Sequence, residues 1–539
     1  MPAISSSVDP QSESFANNRA AMLALLDGVR LLEARVRAYS ERARPRFETR
    51  GQLLPRDRVN LLLDRGAPFV ELSTLAGLGM HDDDGNENPL GGGGINGIGI
   101  VSGVRCMISA SDSGIKGGTS TPMGLKKKLR SQQIAFENKL PTVALVESGG
   151  ANLLYQSELF VEGGRTFANQ SRLSAAGIPQ VTVVHGSSTA GGAYVPGLSD
   201  YVVVVRNRAK IFLAGPPLLK SATGEIATDE ELGGADMHAS IAGTAEYIAD
   251  DDAQAIAVAR DVMAKLRWND HLPPHAAPSF QPPLYAAEEL LGLVPVDYGK
   301  PYDVRELIAR LVDGSDFLDF KAPYGVATVC GHASIEGHPC GIIGNNGPID
   351  AQGSVKAAQF IQLCCQSAIP VIYLQNTTGY MVGREAEMGG IVKHGSKMIQ
   401  AVANATVPQI TLMVGGSFGA GNYGMCGRSF DPRFIFAWPN YRISVMGGEQ
   451  AAGVMRIVSE AKARRDGKEP DTEALDKMFN AIVSQINAES TALYATARLW
   501  DDGIIDPRDS RKVLGYSLSI CAEAVQRPLR GNTFGVARG

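Results

Sequence analysis

Residues 180–197 read QVTVVHGSSTAGGAYVPG, and residues 409–424 read QITLMVGGSFGAGNYG. Each stretch begins with β-branched and apolar residues, passes through a glycine-rich turn and continues into residues that can begin a helix. Strand, turn and helix in this order are typical of an α/β fold. Because glycine lets the backbone approach a ligand closely, and because the first N–H groups of a helix lack partners within it, such a turn can bind an anion.

The same segments repeat at a fixed distance along the chain. Pro141 and Pro179 each precede a strand-like run, and the spacing between them equals the spacing between Pro370 and Pro408 in the second half. The shift in numbering that carries Pro141 onto Pro370, here called the repeat offset, therefore superposes the two pairs. Under the repeat offset the following residues coincide: Gly118 with Gly347, Gly124 with Gly353, Lys127 with Lys356, and Gly191-Gly192 with Ala420-Gly421. The chain is therefore predicted to contain two copies of one α/β domain.

The repeat and the composition together predict five segments. They are an N-terminal helical segment at 1–54, a first domain at 55–275, a linker at 276–294, a second domain at 295–520 and a C-terminal tail at 521–539. The linker is predicted where prolines are frequent and hydrophobic periodicity is lost.

Composition excludes several classes of function. The 51 basic and 56 acidic residues give a formal net charge of −5, which offers no basic surface for nucleic acid. The seven cysteines contain no CxxC pair and indicate free buried thiols rather than disulfides or a metal site. No apolar run reaches the roughly 18 residues of a membrane span, and the first residues are not those of a signal peptide. We therefore predict a bacterial cytoplasmic protein that binds neither nucleic acid nor membrane nor metal.

The glycine turns leave two interpretations open, an oxyanion hole or simply tight packing of strand against helix. A phosphate site is disfavoured because neither turn matches GxxxxGK[ST], and residues 91–99 lack the order of a dinucleotide-binding fingerprint. The sequence contains no HExxH motif, and GxSxG occurs only as GGSFG (415–419), inside the second glycine turn. His185, next to the first turn, is predicted to be structural. A site without its own acid or base indicates that the substrate or a cofactor carries the proton.

Several longer stretches resemble the carboxyltransferase (β) subunits of biotin-dependent acyl-CoA carboxylases. They are SAAGIPQVTVVHGSSTAGGAYVPG, IFLAGPPLLKSATGE, ELGGADMH, VGGSFGAGNYGMCGR and ISVMGGEQAAGV. The resemblance runs from about residue 20 to about residue 525 and is strongest to the methylcrotonyl-CoA branch. It implies a duplicated crotonase-like (ClpP/crotonase) fold, in which the first domain binds acyl-CoA, the second binds carboxybiotin, and the active site forms between two chains.

The resemblance also implies roles for the paired turns. The N–H groups of Gly191 and Gly192 would hold the enolate oxygen of the thioester, and those of Ala420 and Gly421 the ureido oxygen of biotin. The further residues implied are Gly149, Gly150, Gly163 and Ala190 for the substrate, and Thr378, Gly379 and Gly419 for biotin. The run KKKLR (126–130) is compatible with contacts to the CoA phosphates or with a solvated helix face.

The resemblance implies partners as well, because the sequence contains no ATP-binding carboxylase region and no AMKM-type biotin-attachment motif. A separate α subunit would then use ATP, Mg²⁺ and bicarbonate and carry the biotin. The β chains would form a homo-oligomer, expected to be a hexamer within an α6β6 complex. The enzyme would be a ligase that forms carbon–carbon bonds.

The substrate is suggested by a departure from the methylcrotonyl-CoA pattern. Gly163 stands where those enzymes usually have an aromatic residue, the loop before Arg165 is shorter, and residues 120–128 (STPMGLKKK) also differ. Losing an aromatic ring removes about 150–250 Å² of surface and makes room for a longer acyl chain. These departures resemble geranyl-CoA carboxylase, which acts on a 3-methyl-2-enoyl-CoA with an isoprenoid tail in acyclic terpene degradation.

Two alternatives remain at this stage. The loop differences are also compatible with neutral drift in a methylcrotonyl-CoA carboxylase of leucine degradation. A remote alternative is a biotin-independent crotonase-like protein, which the full duplication with both glycine turns disfavours.

Overall fold

The computed structural model describes residues 3–273 and 278–537, which fall into two compact units. The N unit contains Leu31–His275, Ala497–Leu499 and Ile520–Gly539. The C unit contains Met1–Arg30, Ala276–Thr496 and Trp500–Ser519. Residues 276 and 277 of the predicted linker lie outside the described residues, and the predicted domain boundaries stay predictions.

The N unit is built on one eight-stranded sheet. Its strands β1–β8 are Val70–Leu72, Gly94–Val101, Val104–Ser111, Thr142–Ser148, Gln180–Thr189, Tyr201–Val205, Lys210–Phe212 and Tyr247–Ala249. Helices α1–α10 are Glu13–Glu41, Arg44–Thr49, Pro55–Leu62, Pro122–Glu137, Gln156–Ala175, Tyr194–Gly197, Pro216–Thr223, Asp229–Gly233, Ala235–Ser240 and Asp252–Lys265. Of these, α1 is divided, because its residues 13–30 belong to the C unit. The strand order is β1-β2-β3-β4-β5-β6-β8, with β7 also paired to β5. From β3 to β6 neighbouring strands are parallel, whereas β1, β2 and β3 pair antiparallel.

The C unit has a seven-stranded sheet of the same kind. Its strands β9–β15 are Leu318–Asp319, Thr328–Ile335, His338–Asn345, Val371–Thr377, Gln409–Phe418, Phe434–Ala437 and Arg442–Ser444. Helices α11–α20 are Leu290–Leu293, Val304–Leu311, Ala351–Gln366, Arg384–Met388, Ile391–Ala403, Gly419–Gly424, Gly448–Arg465, Thr472–Glu489, Ala492–Ala497 and Ser510–Gln526. The last residue of α19 and residues 520–526 of α20 belong to the N unit. The order is β14-β13-β12-β11-β10-β9, with β15 paired to β13.

The bounds of these elements confirm the predicted duplicated α/β fold. Helices α4 and α13 both have 16 residues, and strands β5 and β13 both have 10. The repeat offset carries the first and last residue of each onto those of its counterpart, and it does the same for β4 and β12. Strands β2 and β3 are further from β10 and β11 than the repeat offset, because the loop 112–121 between β3 and α4 is longer than the loop 346–350 between β11 and α13.

The two faces of the N-unit sheet are covered differently. One face packs on α3 and α10 through a core that includes Val143, Val181 and Val183. The opposite face is covered by α4 and α5. Because side chains alternate along a strand, Thr142 and Ala144 point to this second face. The alternation separates a packed side of the sheet from the side that carries the candidate site.

The cysteines pack as free thiols, as the composition predicted. All seven are free, six are buried, and Cys365 is partly exposed. Among the described residues, no helix combines the length and the apolar character needed to cross a membrane.

Candidate active site

A cavity of about 490 Å³ lies between the N-unit sheet and helices α4 and α5. Thr142, Ala144, Val146 and Ser148, which share one side of β4, all line it. The cavity wall therefore runs the whole length of this strand, about 20 Å at 3.3 Å per residue. A space of this shape suits an elongated ligand rather than a compact one.

All six residues predicted to serve the acyl-CoA side of the reaction line this one cavity. They are Gly149, Gly150, Gly163, Ala190, Gly191 and Gly192. They come from the turn after β4, from α5 and from the turn after β5. The structure thus brings the predicted residues together, while their individual roles stay predictions.

The turn after β5 presents free backbone donors to the cavity. Thr189 makes no side-chain cap at the short 3-10 helix Ala190–Ala193, so the first N–H groups of that helix lack a capping acceptor. The left-handed residue of the turn is Ala190, with φ of +52°. A Cβ at Gly192 would come no closer than 3.7 Å to Ser188 Oγ. Neither conformation nor packing requires glycine at Gly192, which leaves close approach of a ligand as the physical reason for it.

The turn after β4 uses its N–H groups internally. Gly149 donates to the carbonyl of Gly117 at 3.2 Å, and Gly150 donates to Ser148 Oγ at 3.1 Å. Gly150 adopts φ of +92°, which favours glycine. The donors available to a ligand at this end of the cavity are therefore those of Gly191 and Gly192.

The C unit repeats this geometry. Gly419, with φ of +54°, takes the place of Ala190, and α16 begins without a side-chain cap. Gly379 donates to Thr377 Oγ1 at 3.2 Å, as Gly150 does to its serine. A Cβ at Gly421 would lie 2.8 Å from Gly379 Cα, so these two turns touch. The predicted biotin residues all belong to them: Thr378, Gly379, Gly419, Ala420 and Gly421.

The cavity exists because small side chains stand where the C unit has large apolar ones. The equivalent pairs, N unit first, are Ser109 and Ile343, Ser131 and Phe360, and Ala144 and Tyr373. All three C-unit side chains are fully buried in a core cluster. Sequence analysis missed this contrast, which a comparison of side-chain size along the two repeats would have found.

The lysine-rich run on α4 fits neither of its two sequence interpretations as a whole. Lys126 is exposed, as a solvated helix face requires. Lys127 is buried and donates to the carbonyls of Gly91 at 3.1 Å and Gly94 at 2.7 Å. Lys128 lines the cavity. Three consecutive lysines therefore have three different environments.

His185 lies on the other side of the sheet, with the core residues Val181 and Val183. Its Nδ1 is 2.8 Å from Asp252 Oδ1, and Arg58 Nε donates to Asp252 Oδ2 at 3.1 Å. Burial, together with the charge of Arg58, lowers the pKa of His185. Burial works against the charged form of Asp252, but the hydrogen bond from His185 and the charge of Arg58 outweigh it and hold its pKa at about 2. This histidine is structural.

Comparison with known proteins identifies the family. A profile of the carboxyl transferase domain matches residues 47–532. The chain belongs to this family. A probable biotin-dependent acyl-coenzyme A carboxylase β2 subunit of Mycobacterium tuberculosis is 49% identical over 538 residues, covering 99% of this chain and 100% of that protein. The biotin-dependent 3-methylcrotonyl-coenzyme A carboxylase β1 subunit of the same organism is 49% identical over 531 residues, covering 97% of this chain and 98% of that protein.

A solved structure extends the comparison. The β subunit of P. aeruginosa geranyl-CoA carboxylase shares 62% identity with this carboxyltransferase, with a TM-score of 0.94 over 99% of this chain and 100% of that one. The family and fold predictions are confirmed, and the chain is a carboxyltransferase β subunit of the acyl-CoA carboxylase kind. These relatives include one protein named for geranyl-CoA and one named for 3-methylcrotonyl-coenzyme A.

Proposed function

We propose that this carboxyltransferase is the β subunit of a geranyl-CoA carboxylase. It transfers CO2 from carboxybiotin to the γ carbon of a 3-methyl-2-enoyl-CoA that carries an isoprenoid tail. The observation that carries the proposal is Gly163, which lines the cavity and at which a Cβ would meet no atom within 4 Å. The space at this position is therefore open, and it suits a chain longer than the methylcrotonyl group.

The backbone donors of the N unit act on the thioester. Loss of a proton from the γ carbon gives a dienolate whose negative charge spreads to the thioester oxygen. Gly191 and Gly192 direct their N–H groups to this oxygen, and removing one such donor typically costs about 3 kcal/mol of transition-state stabilisation. Ala190 sets the direction of the turn, and Gly149 and Gly150 line the cavity on the β4 side.

The turns of the C unit fit the ureido group of biotin. The uncapped start of α16 leaves backbone donors, supplied by Ala420 and Gly421, for an oxygen acceptor. Gly419, Thr378 and Gly379 complete the two adjoining turns. Biotin, when bound, supplies the carboxyl group that is transferred.

Partner subunits complete the enzyme. An α subunit carries the biotin and uses ATP, Mg²⁺ and bicarbonate, and the β chains assemble as a hexamer within an α6β6 complex in the bacterial cytoplasm. Exposed apolar side chains at equivalent places in the two units support association: Leu153 is 82% exposed and Phe160 is 84% exposed, and Val382 is 86% exposed and Met388 is 78% exposed.

The test compares two neighbouring glycines of α5. In the assembled holoenzyme, Gly163→Phe should lower kcat/KM for geranyl-CoA at least tenfold, because the ring fills the cavity, and should change kcat/KM for methylcrotonyl-CoA little. Gly164→Phe is the matched control, since Gly164 is exposed and does not line the cavity. An unchanged ratio of the two kcat/KM values in Gly163→Phe would contradict the proposal.

A second candidate substrate is methylcrotonyl-CoA, which the names of several relatives favour. Substrate profiling of the purified complex decides between the two. A pulldown that recovers no biotinylated partner would instead favour a biotin-independent crotonase-like protein.

A further inference from the structure

One charged side chain in the cavity has no part in the proposed reaction. Among the residues that line the cavity, Lys128 alone carries a charge. Polar neighbours on the same wall are bonded to one another: Asn96 Nδ2 donates to Ser109 Oγ at 3.1 Å and to Ser131 Oγ at 3.0 Å. These polar side chains of the cavity wall therefore already have hydrogen-bond partners.

The ammonium of Lys128 has no partner within residues 3–273 and 278–537. Burial alone lowers its pKa to about 8. The Lys128 side chain is partly exposed and lines the cavity. The equivalent residue of the C unit is Ala357, part of a packed core. Of the two units, only the N unit, which contains the cavity, therefore has a charged side chain at this position.

Water in the open cavity can solvate the ammonium of Lys128. An apolar acyl tail that fills the cavity displaces this water and offers no acceptor. Because an unpaired charge next to hydrocarbon is strongly disfavoured and a neutral amine much less so, the bound tail favours the deprotonated side chain.

We propose that Lys128 couples the binding of an apolar acyl tail to the release of one proton and so makes tail recognition depend on pH. The ammonium gives its proton to solvent and becomes a neutral amine, with no other bond made or broken. A short acyl group leaves water around Lys128 and releases no proton. The inference rests on the proposed function only in placing a long tail in this cavity.

Other titratable groups near Lys128 are not expected to release a proton when the acyl tail binds. The strands and α5 contribute no charged side chain to the cavity. Lys127 also has a pKa lowered to about 8, chiefly by burial, but its ammonium donates to the carbonyls of Gly91 and Gly94. Because Lys127 does not line the cavity, its ionisation does not respond to the tail.

The test measures binding in the holoenzyme without ATP and bicarbonate, so that no turnover occurs. Between about pH 6 and about pH 8, the Kd of geranyl-CoA should fall about tenfold per pH unit and then level off, while the Kd of methylcrotonyl-CoA stays flat. Calorimetry in two buffers of different ionisation enthalpy should count close to one proton released at about pH 7 for geranyl-CoA only.

Two lysine variants test whether Lys128 causes the pH dependence of binding and the proton release. Lys128→Met keeps the length of the side chain without its charge, and it should abolish both the slope and the proton release. It should also bind geranyl-CoA at about pH 7 as tightly as the wild type does at high pH. Lys126→Met is the control, since Lys126 is exposed, and it should behave as the wild type.

A flat profile for geranyl-CoA in the wild type, or a slope that persists in Lys128→Met, would overturn the inference. These outcomes differ from failure of the proposed function, in which geranyl-CoA is neither bound nor carboxylated at any pH.

Discussion

Gly192 and Gly421 occupy equivalent positions in the two turns, but their neighbours differ. A Cβ at Gly421 would lie 2.8 Å from Gly379 Cα and 2.9 Å from Thr377 Cγ2. A Cβ at Gly192 would only reach ordinary van der Waals contact. The same residue type thus serves the packing of the backbone in the C unit, whereas in the N unit it leaves open space beside the donors.

This difference predicts opposite results for two alanine variants. Gly421→Ala should lower the free energy of unfolding by about 1–3 kcal/mol, because backbone atoms must move apart. Gly192→Ala should change it by no more than about 0.5 kcal/mol, while its carboxylation rate falls because the methyl group intrudes on the ligand. Urea denaturation of the purified β subunit, followed by the holoenzyme assay, checks both. Equal losses of stability in the two variants would contradict the geometry.

At the residue scale, the sequence predicted which residues belong to the candidate site better than it predicted the surroundings of each side chain. Five of the six glycine and alanine residues of the predicted substrate site sit in turns that follow strands, and such turns gather at one edge of a parallel sheet. Gly163, in α5, was suggested only by the family resemblance. The cavity position of Lys128 could not be predicted, since the run KKKLR does not reveal which of its lysines faces the sheet. That depends on the rotation of α4 about its own axis.

A buried charge cluster joins four elements of the N unit on the packed side of the sheet. Arg58 of α3 donates to Glu147 of β4 at 2.6 Å and to Asp252 of α10, which in turn bonds His185 of β5. Leu53 N donates to the same Asp252 carboxylate at 2.7 Å. Charges removed from water in this way are stable only while each has its partner.

Asp252→Asn should therefore destabilise the N unit by about 3–5 kcal/mol at neutral pH, because Arg58 is left buried without full compensation. The folded-state pKa of Asp252, about 2, lies below its ordinary value of 3.8, so its contribution is present above about pH 4 and is lost as the pH falls towards 2. Thermal unfolding measured against pH checks this. The acid-induced loss of stability should be smaller in Asp252→Asn, and an identical pH profile would contradict the role given to this carboxylate.

At the element scale, the repeat offset predicted helices and strands whose bounds match to the residue. It could do so because equal local patterns form equal local elements. It does not hold before α4, where the loop 112–121 after β3 is longer than its counterpart 346–350. The offset pairs matching residues, whereas the cavity follows from residues that differ in size at that offset, such as Ala144 and Tyr373, and for this reason the cavity was not predicted.

At the scale of the whole molecule, exposed apolar side chains near α5 and α14 predict association of β chains. A hexamer of 57.1 kDa chains would have a mass of about 340 kDa. Light scattering after size-exclusion chromatography should give this mass for the wild type and a smaller one for Phe160→Glu, since Phe160 is 84% exposed and a buried unpaired carboxylate opposes contact. Lys477→Glu is a control at an exposed site outside the apolar groups. A monomeric wild type would contradict the prediction.

The unequal faces of the N-unit sheet have a consequence for how this enzyme can change. The side that packs on α3 and α10 holds the core residues, so the opposite side can be altered at a smaller cost to folding as long as Asn96 keeps a hydrogen-bond acceptor. Variant libraries confined to Ser109, Ser131 and Ala144 should thus yield many folded proteins with cavities of different shape. Of the two copies of the repeat, the C unit is filled by large apolar side chains and the N unit contains the cavity. The N unit is therefore the natural starting point for directing carboxylation to new branched acyl chains.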